Sequence, residues 1–300
     1  MTEPTTPPAA IDAELAASLV AEQFPQWAGL PVVAVVPGGH DNRTFRLGAE
    51  LTLRLPSADG YVAGELKEHA WLGHLAPALS LPIPVVEGVG MPSATFPRPW
   101  SVRRWIPGET AEPARIRDLE RFAGDLAAFL VELRSADAAG GPAAGDQSFH
   151  RGADLAYYND QAREGIEAVR DDYDPVVLSA IWDRALASRW QHPPVWFHGD
   201  VASGNLLVDE RGDLSAVIDF GTSGVGDPAC DTVVGWTLFR GRSRERFSDA
   251  LGLDADTWDR GRGWALWKAV ITILWHRESQ PALAAEAGVV IDQLLGNLAR

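Results

Sequence analysis

Cysteine is almost absent from this chain: Cys230 is the only one in 300 residues. An intramolecular disulfide is therefore excluded, as is any multi-cysteine zinc or iron–sulfur site. Lysine is nearly absent as well, with Lys67 and Lys268 set against twenty-four arginines. A site that other chains build around lysine has to be built around arginine here. No apolar run approaches the roughly 20 residues that cross a bilayer, so no membrane partner is expected. The seven histidines contain no His-Glu-x-x-His pattern. Residues 1–10 are polar and proline-rich, with an acid and no basic stretch, which is unlike a secretory signal. A disordered tail over 1–10 and a cytoplasmic location are the expectations.

Positive charge is also scarce. The net charge is −15, with ten acids and seven bases up to Arg104, and thirty-one acids and nineteen bases after it. A chain this acidic, without a basic stripe, is not expected to bind nucleic acid. The excess would favour a cationic small molecule if it lines a cleft; otherwise it serves solubility. Oligomeric state leaves no mark on the sequence.

What is present falls into two parts. Ile11 to Leu19 has helical spacing, continued by Phe24 and Trp27. Val32 to Val36 reads as a strand ending in the turn Pro37-Gly38-Gly39. Thr44 to Leu47 and Leu51 to Leu55 read as the next two strands, the latter with Leu51, Leu53 and Leu55 on one face. A helix over Ala63 to Leu75 follows, then strands within 82–90 and 100–106, and a hinge at Pro107-Gly108. Beyond Glu109 the pattern turns helical, over 116–133, 154–170 and 176–190. A strand Val195 to Phe197 and a hairpin with arms 205–208 and 214–218 interrupt it, and the remainder from Pro228 is mostly helical. The expectation is an α+β protein of two lobes. A small antiparallel-sheet lobe would span 1–104 and a larger, mainly helical lobe 105–300, with a nucleotide in the cleft between them.

One short stretch carries the chemistry. His198-Gly199-Asp200 is followed five residues later by Asn205, and then by Ile218-Asp219-Phe220-Gly221. Asp200 can take a proton from an attacking hydroxyl, while Asn205 and Asp219 offer the hard oxygen ligands that suit Mg²⁺ beside nucleotide phosphates. The order matches the catalytic aspartate, asparagine and metal aspartate of protein kinases. Asp227-Pro228 reads independently as a helix N-cap with proline at the first helical position.

With Gly226-Asp227-Pro228-Ala229-Cys230-Asp231 added, the chain resembles the aminoglycoside phosphotransferase (antibiotic kinase) family, which also includes choline kinases, from about Val32 to the last helix. The resemblance implies a kinase-like fold, Mg²⁺, and ATP or GTP as phosphoryl donor. It implies that Asp200 orients the acceptor hydroxyl, that Asn205 and Asp219 hold the metal, and that His198, Asp227 and Asp231 support the catalytic loop. Cys230 reads as a small core residue. Between the first two strands, Gly39, His40 and Asn42 occupy the place of a nucleotide-positioning loop, although a simple hairpin turn explains them too. Arg104 and Ile106 fall where the family's backbone meets the adenine edge.

The third strand departs from the family, with Arg54 where a phosphate-binding lysine stands. Arginine keeps the charge in a longer, planar fork. Glu68 is the expected ion-pair partner, with Glu65 one turn earlier as the alternative. The resemblance places the acceptor among the helices of the rear half, where Asp171, Asp172, Asp174, Trp275 and Glu278 are the candidate contacts. The acids are equally spaced as on a solvated helix face. The function expected is transfer of a γ-phosphoryl group to a hydroxyl of an aminoglycoside-like or other cationic natural product. A metabolite kinase acting on a macrolide, sugar or amino alcohol, and a nucleotide-binding pseudokinase, are the alternatives.

Overall fold

A computed structural model describes residues 11–36, 38–39 and 41–296. The tail 1–10 and His40 lie outside the described residues. The chain divides into two compact units, Met1–Ala76 with Ile83–Ile106, and Pro77–Pro82 with Pro107–Arg300.

The first unit is one antiparallel sheet with two helices. Strand β1 (Val32–Ala34) pairs with β2 (Asn42–Leu47), β2 with β3 (Leu51–Pro56), β3 with β5 (Trp100–Arg104), and β5 with β4 (Val86–Gly90). Alternation on β3 is as the sequence predicts: Leu53 and Leu55 are fully buried. They pack with Phe45, Leu47, Phe96, Trp100 and Val102, and with Ala16, Leu19 and Val20 of helix α1 (Ala13–Gln23). Thr52 and Arg54 take the opposite face, and the register sets Arg54 between Thr44 of β2 and Ser101 of β5. The last residue of β4 has to be glycine, because a Cβ at Gly90 would lie 2.0 Å from the Trp100 indole. Helix α2 (Val62–Leu75) is unusual in what it buries, since Glu65, Lys67 and Glu68 are all inside.

In the second unit, β6 (Glu109–Thr110), β8 (Leu206–Val208) and β9 (Leu214–Val217) form one antiparallel sheet, and β7 (Val195–Phe197) pairs with β10 (Gly224–Gly226). The helices are α3 (Leu119–Ser135), α4 (Asn159–Ala168), α5 (Pro175–Leu186), α6 (Val234–Thr237), α7 (Arg242–Leu251), α8 (Ala255–His276) and α9 (Pro281–Gly296). Helix α3 starts three residues later than its apolar spacing predicts. The Asp118 carboxylate accepts from the Glu120 and Arg121 amides, both at 3.0 Å, and so fixes the first turn. The helix expected over 154–170 is a 3₁₀ turn, Leu155–Tyr158, leading into α4, and the one expected over 176–190 closes at Leu186. Helix α8 is buried nearly all round: Trp264, Ala265, Leu266 and Trp267 are successive residues and all inside. It packs against α4, α5, α9 and the 3₁₀ helix Pro228–Val233, so that the core of this unit is assembled around it. Lys268 rides on the same helix.

Candidate active site

The loop after β7 is held by buried hydrogen bonds. Gly199 has φ +85°, and a Cβ there would come within 2.7 Å of the Thr222 carbonyl oxygen, so glycine alone fits. The His198 and Gly199 amides donate to the two oxygens of Asp231, at 2.9 and 2.7 Å. Burial pushes the Asp231 carboxyl up, and those two amides only partly offset it. Asp231 is placed there by the 3₁₀ helix Pro228–Val233, whose N-cap Asp227 accepts from the Ala229 amide at 3.0 Å. The other Asp227 oxygen receives Arg260 Nε at 2.6 Å, from α8. His198 is fully buried. Its Nε2 lies 3.0 Å from the Ile218 carbonyl oxygen and its Nδ1 3.3 Å from the Asp200 amide. One consistent tautomer follows, with the proton on Nε2 and Nδ1 accepting. The ring braces the loop, and packing against Phe220 at 4.7 Å completes the brace.

Asp200 follows. Asn205 Nδ2 donates to the Asp200 carbonyl oxygen at 2.9 Å and to its Oδ2 at 3.0 Å. Both protons of that amide are thereby committed, which leaves Asn205 Oδ1 as the atom able to meet a cation. The Ile218 amide donates to the Asn205 carbonyl oxygen at 2.9 Å, so Asp219 enters next to Asn205. Asp219 has φ +65°, a left-handed backbone uncommon outside glycine and concentrated at functional sites. Among the described residues no three His, Cys, Asp or Glu gather as a metal cage. An Asn–Asp pair of hard oxygens still fits Mg²⁺, which fills its octahedron with phosphate and water.

The remaining Asp200 oxygen, Oδ1, receives Lys268 Nζ at 2.8 Å. Burial alone would raise the Asp200 carboxyl, but the Lys268 ammonium, with Arg151 behind it, reverses that and holds it below the usual aspartate range. Lys268 and Arg151 are functional candidates that sequence reasoning missed. The two line a shallow pocket with Gly199, Asp200, Val201, Cys230, Val233, Trp264 and Trp267. Cys230 is buried, and burial raises its thiol well above the ordinary range, as befits an inert core residue.

In the first unit Arg54 sits in a buried ionic cluster. It lies 3.7 Å from Glu65 and 3.6 Å from Glu68, so both glutamates named from the sequence are its partners. Asn42, in the orientation that satisfies both side chains, accepts from Arg54 Nε and Nη2 at 3.0 Å. Arg103 of β5, which the sequence did not single out, is almost wholly buried and donates to Glu65 at 2.6 Å and Glu68 at 3.1 Å. Burial opposes ionisation of Glu65, yet Arg103, His69, Arg54 and Ser101 together lower it from 4.5 to about 2. A carboxyl with a depressed folded pKa stabilises above its unfolded pKa and loses that contribution as pH falls toward the folded one. The first unit should therefore lose stability as pH drops from about 4.5 toward 2. Denaturant melts across that range should show the slope, and Glu65→Gln should lower stability at pH 7 while flattening it. An unchanged slope would remove Glu65 from the account.

The other expected contacts scatter. The Gly39 carbonyl accepts from Arg43 Nη1 at 2.8 Å. The Arg104 amide donates to the Val85 carbonyl at 2.9 Å and its side chain pairs with Glu87, so that amide is no longer available to a base edge. Ile106 closes the first unit. Asp174 is the N-cap of α5, Asp172 pairs with Arg277 at 2.8 Å, and Asp171 is exposed beside it. Trp275 is 57% exposed on α8 and Glu278 lies in the turn beyond. None of these five lines the pocket at Asp200. Helix spacing explains the separation, since Trp275 lies seven residues beyond Lys268, about 10 Å along the axis.

The sequence matches the phosphotransferase enzyme family APH over residues 32–264. No curated protein matches it in sequence. Among solved structures, the GDP complex of wild-type aminoglycoside 2'-phosphotransferase-IIIa superposes with a TM-score of 0.71 at 19% identity, covering 95% of this chain and 99% of that one. The streptomycin–ATP ternary complex of APH(2")-IIa gives 0.61 at 19%, covering 92% and 94%. The macrolide 2'-phosphotransferase MphH from Brachybacterium faecium gives 0.60 at 20%, covering 91% and 98%. At this identity the likeness establishes the kinase-like fold of these enzymes.

Proposed function

This chain belongs to the APH phosphotransferase enzyme family, and on that premise we propose that it moves the γ-phosphoryl group of ATP or GTP, with Mg²⁺, to a hydroxyl of a small organic acceptor. The observation that carries the proposal is the geometry around Asn205. Its amide protons are both committed to Asp200, its Oδ1 is left for a cation, and Asp219 directly follows Ile218, whose amide is bonded to the Asn205 carbonyl.

In this reading the Asp200 carboxylate orients the acceptor hydroxyl and takes its proton as the oxygen attacks the γ-phosphorus. The nucleoside diphosphate leaves through the bridging oxygen. Bound magnesium would neutralise charge on the phosphate oxygens. Asn205 Oδ1 and Asp219 would hold it, Asp231 and His198 fix the loop, and Arg54, positioned by Glu65 and Glu68, would supply the cation for the nucleotide phosphates that lysine supplies elsewhere. The solved neighbours named for aminoglycosides, bound to GDP or ATP, support a nucleotide donor, and those together with the macrolide enzyme support a natural-product alcohol in general terms. The acid excess gives little support to a cationic acceptor, because Asp172 is paired and Asp174 caps a helix.

The test is incubation with Mg²⁺ and ATP or GTP across aminoglycosides, macrolides, sugars, amino alcohols and hydroxy acids, with mass spectrometry reading the gain of one phosphoryl group. Transfer that stops on chelation of the metal is the expected result. Nucleotide binding without transfer to any acceptor would replace the proposal with a pseudokinase.

A further inference from the structure

The pocket beside Asp200 has the wrong charge for a polycation. Its lining carries two cations, Arg151 and Lys268, and one half-buried carboxylate, Asp200. Two positive charges against one negative leave a single positive charge to be met by whatever enters. Of the acids a polyammonium acceptor would seek, Asp174 caps a helix and Asp172 and Glu167 pair with arginines, and none lines this pocket.

The cations are also built in. Arg151 lies over the Trp267 ring, its guanidinium carbon 4.6 Å from the centroid, and 5.7 Å from that of Trp264. Trp267 is itself stacked on Tyr158 at 4.1 Å, and the Tyr158 hydroxyl donates to the Phe149 carbonyl at 2.7 Å. That carbonyl also accepts from Arg151 Nη1 at 3.1 Å. The turn that delivers Arg151 is strained: Phe149 and His150 both have left-handed backbones, φ +48° and +54°, though neither is glycine. Strain of this kind persists where surrounding structure enforces it, commonly at a ligand site. Lys268 projects from α8, whose neighbours Trp264 and Trp267 are locked in the core, while its own side chain stays 44% exposed. It can reach a ligand without leaving Asp200.

We propose that the acceptor is a carboxylate-bearing alcohol, a hydroxy acid or sugar acid, whose carboxylate is bound by Arg151 and Lys268 against the Trp264–Trp267 wall while its hydroxyl faces Asp200. The proposal rests on the phosphotransferase reading for the role of Asp200, but the binding site it names stands on its own. Arginine's planar fork suits a carboxylate in two-point contact.

Binding is read first, by tryptophan fluorescence, without turnover. Hydroxy acids and sugar acids are titrated beside their neutral counterparts, glycerate against glycerol and glucuronate against glucose, with kanamycin as the polycation. The expected result is saturable quenching by one or more acids, at least ~30-fold tighter than by the neutral partner. Arg151→Gln should erase that preference and Arg151→Lys should recover part of it, with equal melting midpoints showing that the variants fold. In turnover assays the Arg151→Gln defect should lie in KM for the acid and leave nucleotide affinity unchanged. A preference for glucose, glycerol or kanamycin, the absence of a saturable response to any acid, or a preference that survives Arg151→Gln would overturn the proposal. Acids that bind in this way but are never phosphorylated would instead overturn the phosphotransferase reading and leave the binding site standing.

Discussion

Asp200→Ala is expected to lower kcat for phosphoryl transfer about 10²–10⁴-fold, the range for loss of a positioned proton acceptor, while nucleotide affinity changes little. The reasoning is local. Asp200 Oδ2 faces Asn205 and Oδ1 faces Lys268, so truncation removes both contacts at the reacting hydroxyl. The Asn205 amide keeps the Asp200 backbone carbonyl at 2.9 Å, which survives the substitution. The metal-facing oxygen of Asn205 is therefore expected to keep its orientation. Both ends of the Asp200–Lys268 pair are a third or more exposed, 35% and 44%, so the variant should melt close to the parent. The pH profile offers a second check. A carboxyl held below the ordinary aspartate range is ionised across neutral pH, and the acid limb of kcat/KM should lie below pH ~4. Single-turnover kinetics with nucleotide titration measure both effects. Retained turnover in Asp200→Ala would remove Asp200 from the chemistry.

The sequence displays whatever is fixed over a few residues. Asp200 and Asn205 are five apart, and their meeting depends only on a short loop between β7 and β8. The proline after Asp227 marks a helix start in one dimension as clearly as in three. Leucines alternating along β3 put Arg54 on the face opposite the core by the two-residue period of a strand alone. Glu65 and Glu68 follow from helical spacing, one turn apart on α2.

What stays hidden is brought in by packing between distant segments. Lys268 reaches Asp200 across 68 residues and Arg260 reaches Asp227 across 33. Both sit on α8, a helix with apolar residues on nearly every side. A helix buried all round has no amphipathic phase, so its spacing cannot say which polar residue points where. Arg103 was obscured differently: in an arginine-rich chain a second arginine, beside exposed Arg104, carries no signal that it is almost wholly buried. The acids of 171–174 were offered by the family resemblance rather than by their spacing, and helix capping and a pairing with Arg277 occupy two of them.

The same division between local and remote support separates Asp231 from Asp227, and Asp231→Ala carries the second large expectation. Asp231 is 5% exposed and its oxygens are the acceptors for two buried amides, those of His198 and Gly199. Alanine leaves both donors without that partner, and an unmet buried donor costs about 1–3 kcal/mol. A loss of roughly 2–6 kcal/mol follows from two such donors. At about 2–4 °C per kcal/mol for a unit of this size, the melting midpoint should fall by about 4–24 °C. The same two amides hold the turn from which Asp200 projects, so kcat should fall as well, even for the protein that remains folded. Asp227→Asn is the matched comparison. It removes the charge that pairs with Arg260 while leaving an N-cap oxygen for the Ala229 amide, and it touches neither amide of the loop. It should lower the melting midpoint with a much smaller change in kcat. Melts paired with kcat measured well below each midpoint would test the split. If Asp231→Ala kept the parent kcat, the loop would be positioned without Asp231, and the brace assigned to it would have to lie in His198 and Thr222.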